Sequence, residues 1–209
     1  MMCYLQGDMM KVAVLISGRG SNLQAILKAE NEDKLGNAEV FLIISSNPNA
    51  AGLEFAKSYN KYAIVHDPMD YVDKTKYDSK LKSLMIENDI GLIVLAGFMK
   101  VLSYSFVDYF KNKIINIHPS LLPAFPGLNI HERVLEYGVK YSGCTVHFVN
   151  AEIDGGPIIA QKVVEVLEED SSDSLAARIL VTEHTLLPEV IKKISENKIT
   201  VNQRRVRVN

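Results

Sequence analysis

Val12-Ala13-Val14-Leu15-Ile16 runs without a break into Ser17-Gly18-Arg19-Gly20-Ser21-Asn22, and Leu23, Ile26 and Leu27 then recur at helical spacing. A short apolar run rich in β-branched residues reads as a buried strand, and the change of period after the glycines reads as the start of a helix. The same alternation continues, with strands expected over 40–44, 62–65 and 90–95 and helices over 51–60 and 71–88. Strands separated by helices need crossover connections, so the sheet is expected to be mainly parallel and covered on both faces. That is a doubly wound α/β plan with helices on both faces.

Beyond Asn116 the pattern changes. Residues 143–150 and 157–166 read as two strands joined by the turn Asp154-Gly155-Gly156 rather than by a helix, which predicts antiparallel pairing toward the C-terminal end. Leu175, Ile179, Leu186, Val190 and Ile194 mark a helix over 172–196 that packs across the sheet, with Pro188 expected to kink or break it. At 209 residues the chain is read as one domain over 10–209, preceded by a leader or disordered segment over 1–9.

Hydrophobic residues make up 47% of the chain and charged residues 23%, the balance of an ordinary globular protein. No apolar run reaches the roughly 18 residues that a membrane span needs. A net charge of −2 gives no basic footprint for nucleic acid. Arg204, Arg205 and Arg207 are read as a solvated strand edge. Cys3 and Cys144 lie far apart without ligand spacing, so neither a disulfide framework nor a metal site is expected, and a cytoplasmic location is.

The chemistry concentrates in three places. The glycine turn offers backbone N–H groups at a helix N-terminus, an arrangement that holds phosphate, or else a tight turn in which Ser21 and Asn22 cap the helix. Leu23 stands where a dinucleotide fingerprint has its third glycine, and Ser45-Ser46-Asn47 ends the second strand without an acidic residue, so a dinucleotide is disfavoured. Asn116-Ile117-His118-Pro119-Ser120-Leu121-Leu122-Pro123 leaves a buried strand carrying an amide and an imidazole on one side, in a loop that proline stiffens. With Asp154 in its glycine turn, these groups form a trio able to run acyl transfer, although spacing alone does not bring Asp154 to His118. His66, His131, His147 and His184 have no comparable company in the sequence. Finally, Met99-Lys100-Val101-Leu102 prolongs a buried strand as an apolar loop, as a pocket wall would.

Taken together, Ser-Gly-Arg-Gly-Ser-Asn, Leu-Ala-Gly-Phe-Met-Lys, Asn-Ile-His-Pro-Ser-Leu-Leu-Pro and Asp-Gly-Gly-Pro resemble the phosphoribosylglycinamide formyltransferase family over nearly the whole chain from Met10. The resemblance implies formyl transfer from 10-formyltetrahydrofolate to the amine of glycinamide ribonucleotide, without a metal, by a monomer or homodimer that engages neither nucleic acid nor membrane. It implies that Gly20, Ser21 and Asn22 hold the ribonucleotide phosphate, with Glu183 at the glycinamide or ribose end. Lys74, Met99, Lys100, Val101, Leu102 and Asn116 would contact the folate, while Asn116, His118 and Asp154 would carry catalysis. Lysine at 74 and 100, where the family often has arginine, keeps the charge without the planar fork. A hydrolase acting on the formylfolate, and a noncatalytic module binding a phosphorylated metabolite, are the competing readings.

Overall fold

The computed structural model describes residues 9–209, so the expected leader lies, apart from Met9, outside the described residues. In chain order the elements are β1 (Met10–Ile16), α1 (Ser21–Asn31), β2 (Ala38–Ser45), α2 (Gly52–Ser58), β3 (Ala63–Val65), α3 (Lys74–Glu87) and β4 (Leu92–Leu95). There follow α4 (Tyr104–Tyr109), β5 (Ile114–His118), α5 (Ile130–Tyr137), β6 (Tyr141–Phe148), β7 (Ile158–Glu165), α6 (Ser172–Ser195), β8 (Ile199–Asn202) and β9 (Arg205–Val208). A seven-stranded sheet runs in the order β3-β2-β1-β4-β5-β6-β7, and β8 and β9 form a separate hairpin. β1 to β5 pair in parallel, whereas β6 and β7 pair antiparallel. This is the expected α/β plan, including its change of sense after Asn116.

Alternation along the strands divides the core between the two faces. Val12, Val14 and Ile16 pack with Leu23, Ile26 and Leu27 of α1 and with Leu175 and Ile179 of α6. Ala13 and Leu15 face the other way, toward Leu81 and Met85 of α3 and Phe106 of α4. Because both faces are covered, the central strands read as unbroken apolar runs. β1 leads outward to β2 and β3, while β4 lies on its other side and leads to β5, so the chain reverses direction across the sheet between β1 and β4. Such a reversal leaves a crevice at the C-terminal strand ends, which is where the loops carrying the glycine turn and Met99 emerge.

The expected break at Pro188 does not occur. α6 remains one helix through Pro188, because Leu186, Leu187, Pro188, Val190 and Ile191 are all buried and hold the backbone despite the missing N–H. The short helices α4 and α5 have no counterpart among the elements expected from sequence; Ser103 caps α4 by accepting from the Phe106 N–H, and Gly138 ends α5 in the left-handed region. The arginines at 204, 205 and 207 lie exposed at the β8–β9 hairpin, as expected of a solvated edge. No helix among the described residues is long and apolar enough to cross a membrane.

Two glycines set the turns that matter for the site. Gly20 has φ 74°, and a Cβ there would stand 2.5 Å from Gly52 Cα, so the turn after β1 lies directly on the start of α2. At Gly156 a Cβ would run into the carbonyl oxygen of Phe148 at the end of β6. Gly156→Ala is therefore expected to destabilise the fold by about 1–3 kcal/mol through overpacking. Urea unfolding of the variant checks this, and an unchanged midpoint would show that the turn has room to spare.

Candidate active site

β5 places Asn116 and His118 where the parallel part of the sheet meets the antiparallel part. Asn116 lies beside Leu95 of β4 on one side and opposite His147 of β6 on the other. The Asn116 amide nitrogen is 3.2 Å from His147 Nε2, and His147 Nδ1 is 2.9 Å from the Phe148 carbonyl oxygen. A neutral imidazole that donates from Nδ1 to that carbonyl accepts the Asn116 amide at Nε2, so both bonds are satisfied by one tautomer. Burial pushes the His147 pKa below its ordinary value, more than the Phe148 carbonyl and Asp154 raise it, which keeps this tautomer neutral near pH 7. His147 thereby fixes which way the Asn116 amide points and leaves its second N–H uncommitted.

His118 sits almost fully buried with an oxygen at each ring nitrogen. Nε2 is 2.9 Å from the Phe125 carbonyl oxygen, and Nδ1 is 3.3 Å from Asp154 Oδ2. An imidazolium, with an N–H on each nitrogen, donates to both; a neutral ring directs one lone pair at an oxygen. Asp154 reaches inward from a left-handed backbone position at φ 52°. Its Oδ2 also accepts the Gly127 N–H at 2.8 Å, and its Oδ1 lies 3.7 Å from His147 Nε2. Asn116, His118 and Asp154 are therefore gathered in one place. His147, expected to be without company, stands between two of them; only the register of β6 against β5 brings it there. His131 also lies close enough to His118 for that group's charge to lower its pKa, after the larger effect of burial.

These groups border a cleft of about 490 Å³ that Met99, Lys100, Val101 and Leu102 also line. The apolar loop after β4 is thus a pocket wall. Lys74 is not in this cleft. It lines an adjoining depression of about 380 Å³ with Tyr71 and Tyr77, and the two spaces share Lys100 and Val101. Lys74 opens α3, which packs on the same sheet face as Leu102 and Phe106.

The glycine turn stands apart from the cleft lining. Gly20 is the N-cap of α1, and no side chain caps the first turn, so Ser21 and Asn22 do not act as the cap that the alternative reading required. Instead Asn22 is buried, its amide donating to Glu183 Oε2 of α6 at 2.8 Å, while its buried Oδ1 has no partner among the described residues. Gly20, Ser21, Asn22 and Glu183 therefore form one cluster at the N-terminus of α1. Burial raises the Glu183 pKa, against smaller lowering by the Asn22 bond and the Arg19 charge. A carboxyl raised on folding contributes stability that is fully present below its unfolded value and is lost as pH rises through the folded one. Glu183→Gln is accordingly expected to raise the melting temperature at about pH 8 and to leave it unchanged at about pH 4. Equal melting temperatures for the two proteins at both pH values would contradict the shift.

The formyl transferase family matches residues 10–191 of the chain. Over 196 residues the chain is 38% identical to the phosphoribosylglycinamide formyltransferase of Escherichia coli, covering 93% of this chain and 91% of that one. Over 182 residues it is 44% identical to the trifunctional purine biosynthetic protein adenosine-3 of Drosophila melanogaster, covering 87% of this chain but only 14% of that protein's length. The crystal structure of glycinamide ribonucleotide transformylase 1 from Symbiobacterium toebii superposes with a TM-score of 0.95 at 44% identity, covering 100% of this chain and 98% of that one. The matched span of residues 10–191 includes the glycine turn, the Met99 loop and the Asn116, His118 and Asp154 cluster, and the chain belongs to the formyl transferase family.

Proposed function

We propose that this chain is a phosphoribosylglycinamide formyltransferase, which moves a formyl group from 10-formyltetrahydrofolate to the primary amine of N1-(5-phospho-D-ribosyl)glycinamide in purine biosynthesis. The observation that carries this reading is the meeting of Asn116, His118 and Asp154 in the lining of one cleft, in a chain similar over more than nine-tenths of both lengths to the phosphoribosylglycinamide formyltransferase of Escherichia coli. In this reading the ribonucleotide phosphate rests on the N–H groups of Gly20, Ser21 and Asn22 at the α1 N-terminus, and Glu183 takes the ribose or glycinamide end. Met99, Lys100, Val101 and Leu102 hold the folate ring system, with Lys100 and Lys74 toward its acidic end, the latter across the adjoining depression.

The reaction forms a bond from the glycinamide nitrogen to the formyl carbon and breaks the bond from that carbon to N10 of the folate. Between them lies a tetrahedral intermediate with negative charge on oxygen. The uncommitted N–H of Asn116, oriented in advance by His147, donates to that oxygen. Asp154 orients the His118 ring through Nδ1, and the protonated ring donates its Nε2–H as acid once it exchanges the Phe125 carbonyl for the reacting group. The net proton movement is from the attacking nitrogen to N10. The substrates are small and soluble, and the enzyme is proposed to act in the cytoplasm as a monomer or homodimer.

Folate absorbance, followed with 10-formyltetrahydrofolate in the presence and absence of the ribonucleotide, tests the assignment. Turnover only with the ribonucleotide is expected; turnover without it would make the protein a hydrolase, and none in either case would make it a binding module. Asn116→Ala and His118→Ala are each expected to lower kcat on the order of 10² to 10³-fold while KM for both substrates stays within a few fold. Near-normal kcat in both variants would overturn the catalytic roles.

A further inference from the structure

Ser17 stands one residue beyond β1, at the reversal of the sheet, and every polar group it has is engaged. Its N–H donates to the Gly97 carbonyl at 3.1 Å, extending the β1–β4 pairing past the strands, and its carbonyl accepts the Asn47 side-chain amide at 3.2 Å. Its hydroxyl oxygen accepts the Met99 N–H at 2.8 Å and lies 2.7 Å from the Ser46 hydroxyl. One side chain thus bridges the C-terminal ends of β1, β2 and β4. The next residue, Gly18, accepts the Gly52 N–H at 3.1 Å, so the glycine turn is separately anchored to α2.

The Met99 loop is tied at its ends, where the Gly97 carbonyl accepts the Ser17 N–H and Asp78 accepts the Ser103 N–H at 3.0 Å, and among the described residues its only backbone hydrogen bond between those ends is the one to the Ser17 hydroxyl. Met99 itself is 68% exposed, and its backbone N–H is held by a side chain from across the crevice rather than by the loop's own turn. A reaction between two bound substrates requires their reacting atoms within about 3–3.5 Å, so the loop gripping one must be kept in register with the turn gripping the other. We propose that Ser17 is a positioning residue whose hydroxyl fixes the Met99 loop, and with it the formylfolate, relative to the phosphate-holding turn. The inference rests on the formyltransferase reading and deepens it. Ser17 touches neither substrate in this account; it acts through the Met99 backbone.

Steady-state kinetics of Ser17→Ala test the proposal. A net hydrogen bond of ordinary strength corresponds to about a two- to tenfold change in an equilibrium constant. KM for 10-formyltetrahydrofolate is therefore expected to rise by about that factor, with KM for the ribonucleotide within twofold, since the Gly18–Gly52 bond remains. Ser46→Ala, which removes the other hydroxyl neighbour and leaves the Met99 bond, is expected to change neither KM by more than twofold. An unchanged folate KM in Ser17→Ala, both KM values rising together, or Ser46→Ala matching it would each overturn the proposal. Should Ser17→Ala not fold, Ser17→Cys, with similar shape and a weaker acceptor, carries the same comparison. Turnover by the unaltered enzyme separates the two levels: its absence sinks the formyltransferase reading, whereas its presence with unshifted variants sinks the role of Ser17 alone.

Discussion

The Asp154 carboxylate is the contact on which the site depends. One of its oxygens meets His118 Nδ1 and the Gly127 N–H, and the other faces His147. It thereby ties together the end of β5, the proline-rich loop and β6, three segments that the parallel part of the sheet alone would leave unconnected. The carboxylate can reach inward only because the chain turns through a left-handed residue and two glycines, the second packed against the Phe148 carbonyl. The antiparallel pair β6 and β7 makes that turn possible, since a crossover helix in its place would carry the segment to the far side of the sheet.

The rest of the site follows from the reversal of strand order. β1 and β4 are neighbours whose connections leave in opposite directions, so a phosphate-type turn and an apolar wall arise side by side from two separate crossovers. α6 then crosses the face of the sheet and buries Glu183 against Asn22. A carboxyl in that position costs stability at neutral pH, and an unpartnered Asn22 oxygen beside it adds to the cost. Groups left under-satisfied in this way are the ones a ligand can complete, and this supports the proposal that the cluster takes the ribonucleotide.

Much of this architecture is legible in the sequence because it is written in local periodicity. The runs around Val14, Ile43 and Val94, the helical spacing of Leu23 and Ile26, and the Asp-Gly-Gly turn each specify their own element. The loss of helical pattern after Asn116 likewise announces the antiparallel end. What sequence does not carry is register and reach. His147 has no local signature of function; it becomes part of the site because Phe148 happens to fall opposite Ile115, which places His147 opposite Asn116. Asn22 looks like a helix cap from its neighbours, yet its amide is used by a glutamate 161 residues away. Lys74 is tied to the folate by resemblance alone, and its place in a depression adjoining the cleft is visible only in the packing of α3.

The claim at the centre of this account is that His118 and Asp154 act as one unit, with the carboxylate fixing the orientation of the imidazole. Comparing kcat for His118→Ala, Asp154→Ala and the double variant measures that most directly. The account predicts that the double variant is no slower than the slower single one, because either change already dismantles the pair. Losses that multiply, each substitution costing as much in the absence of its partner as in its presence, would show that the two side chains contribute independently and would contradict it.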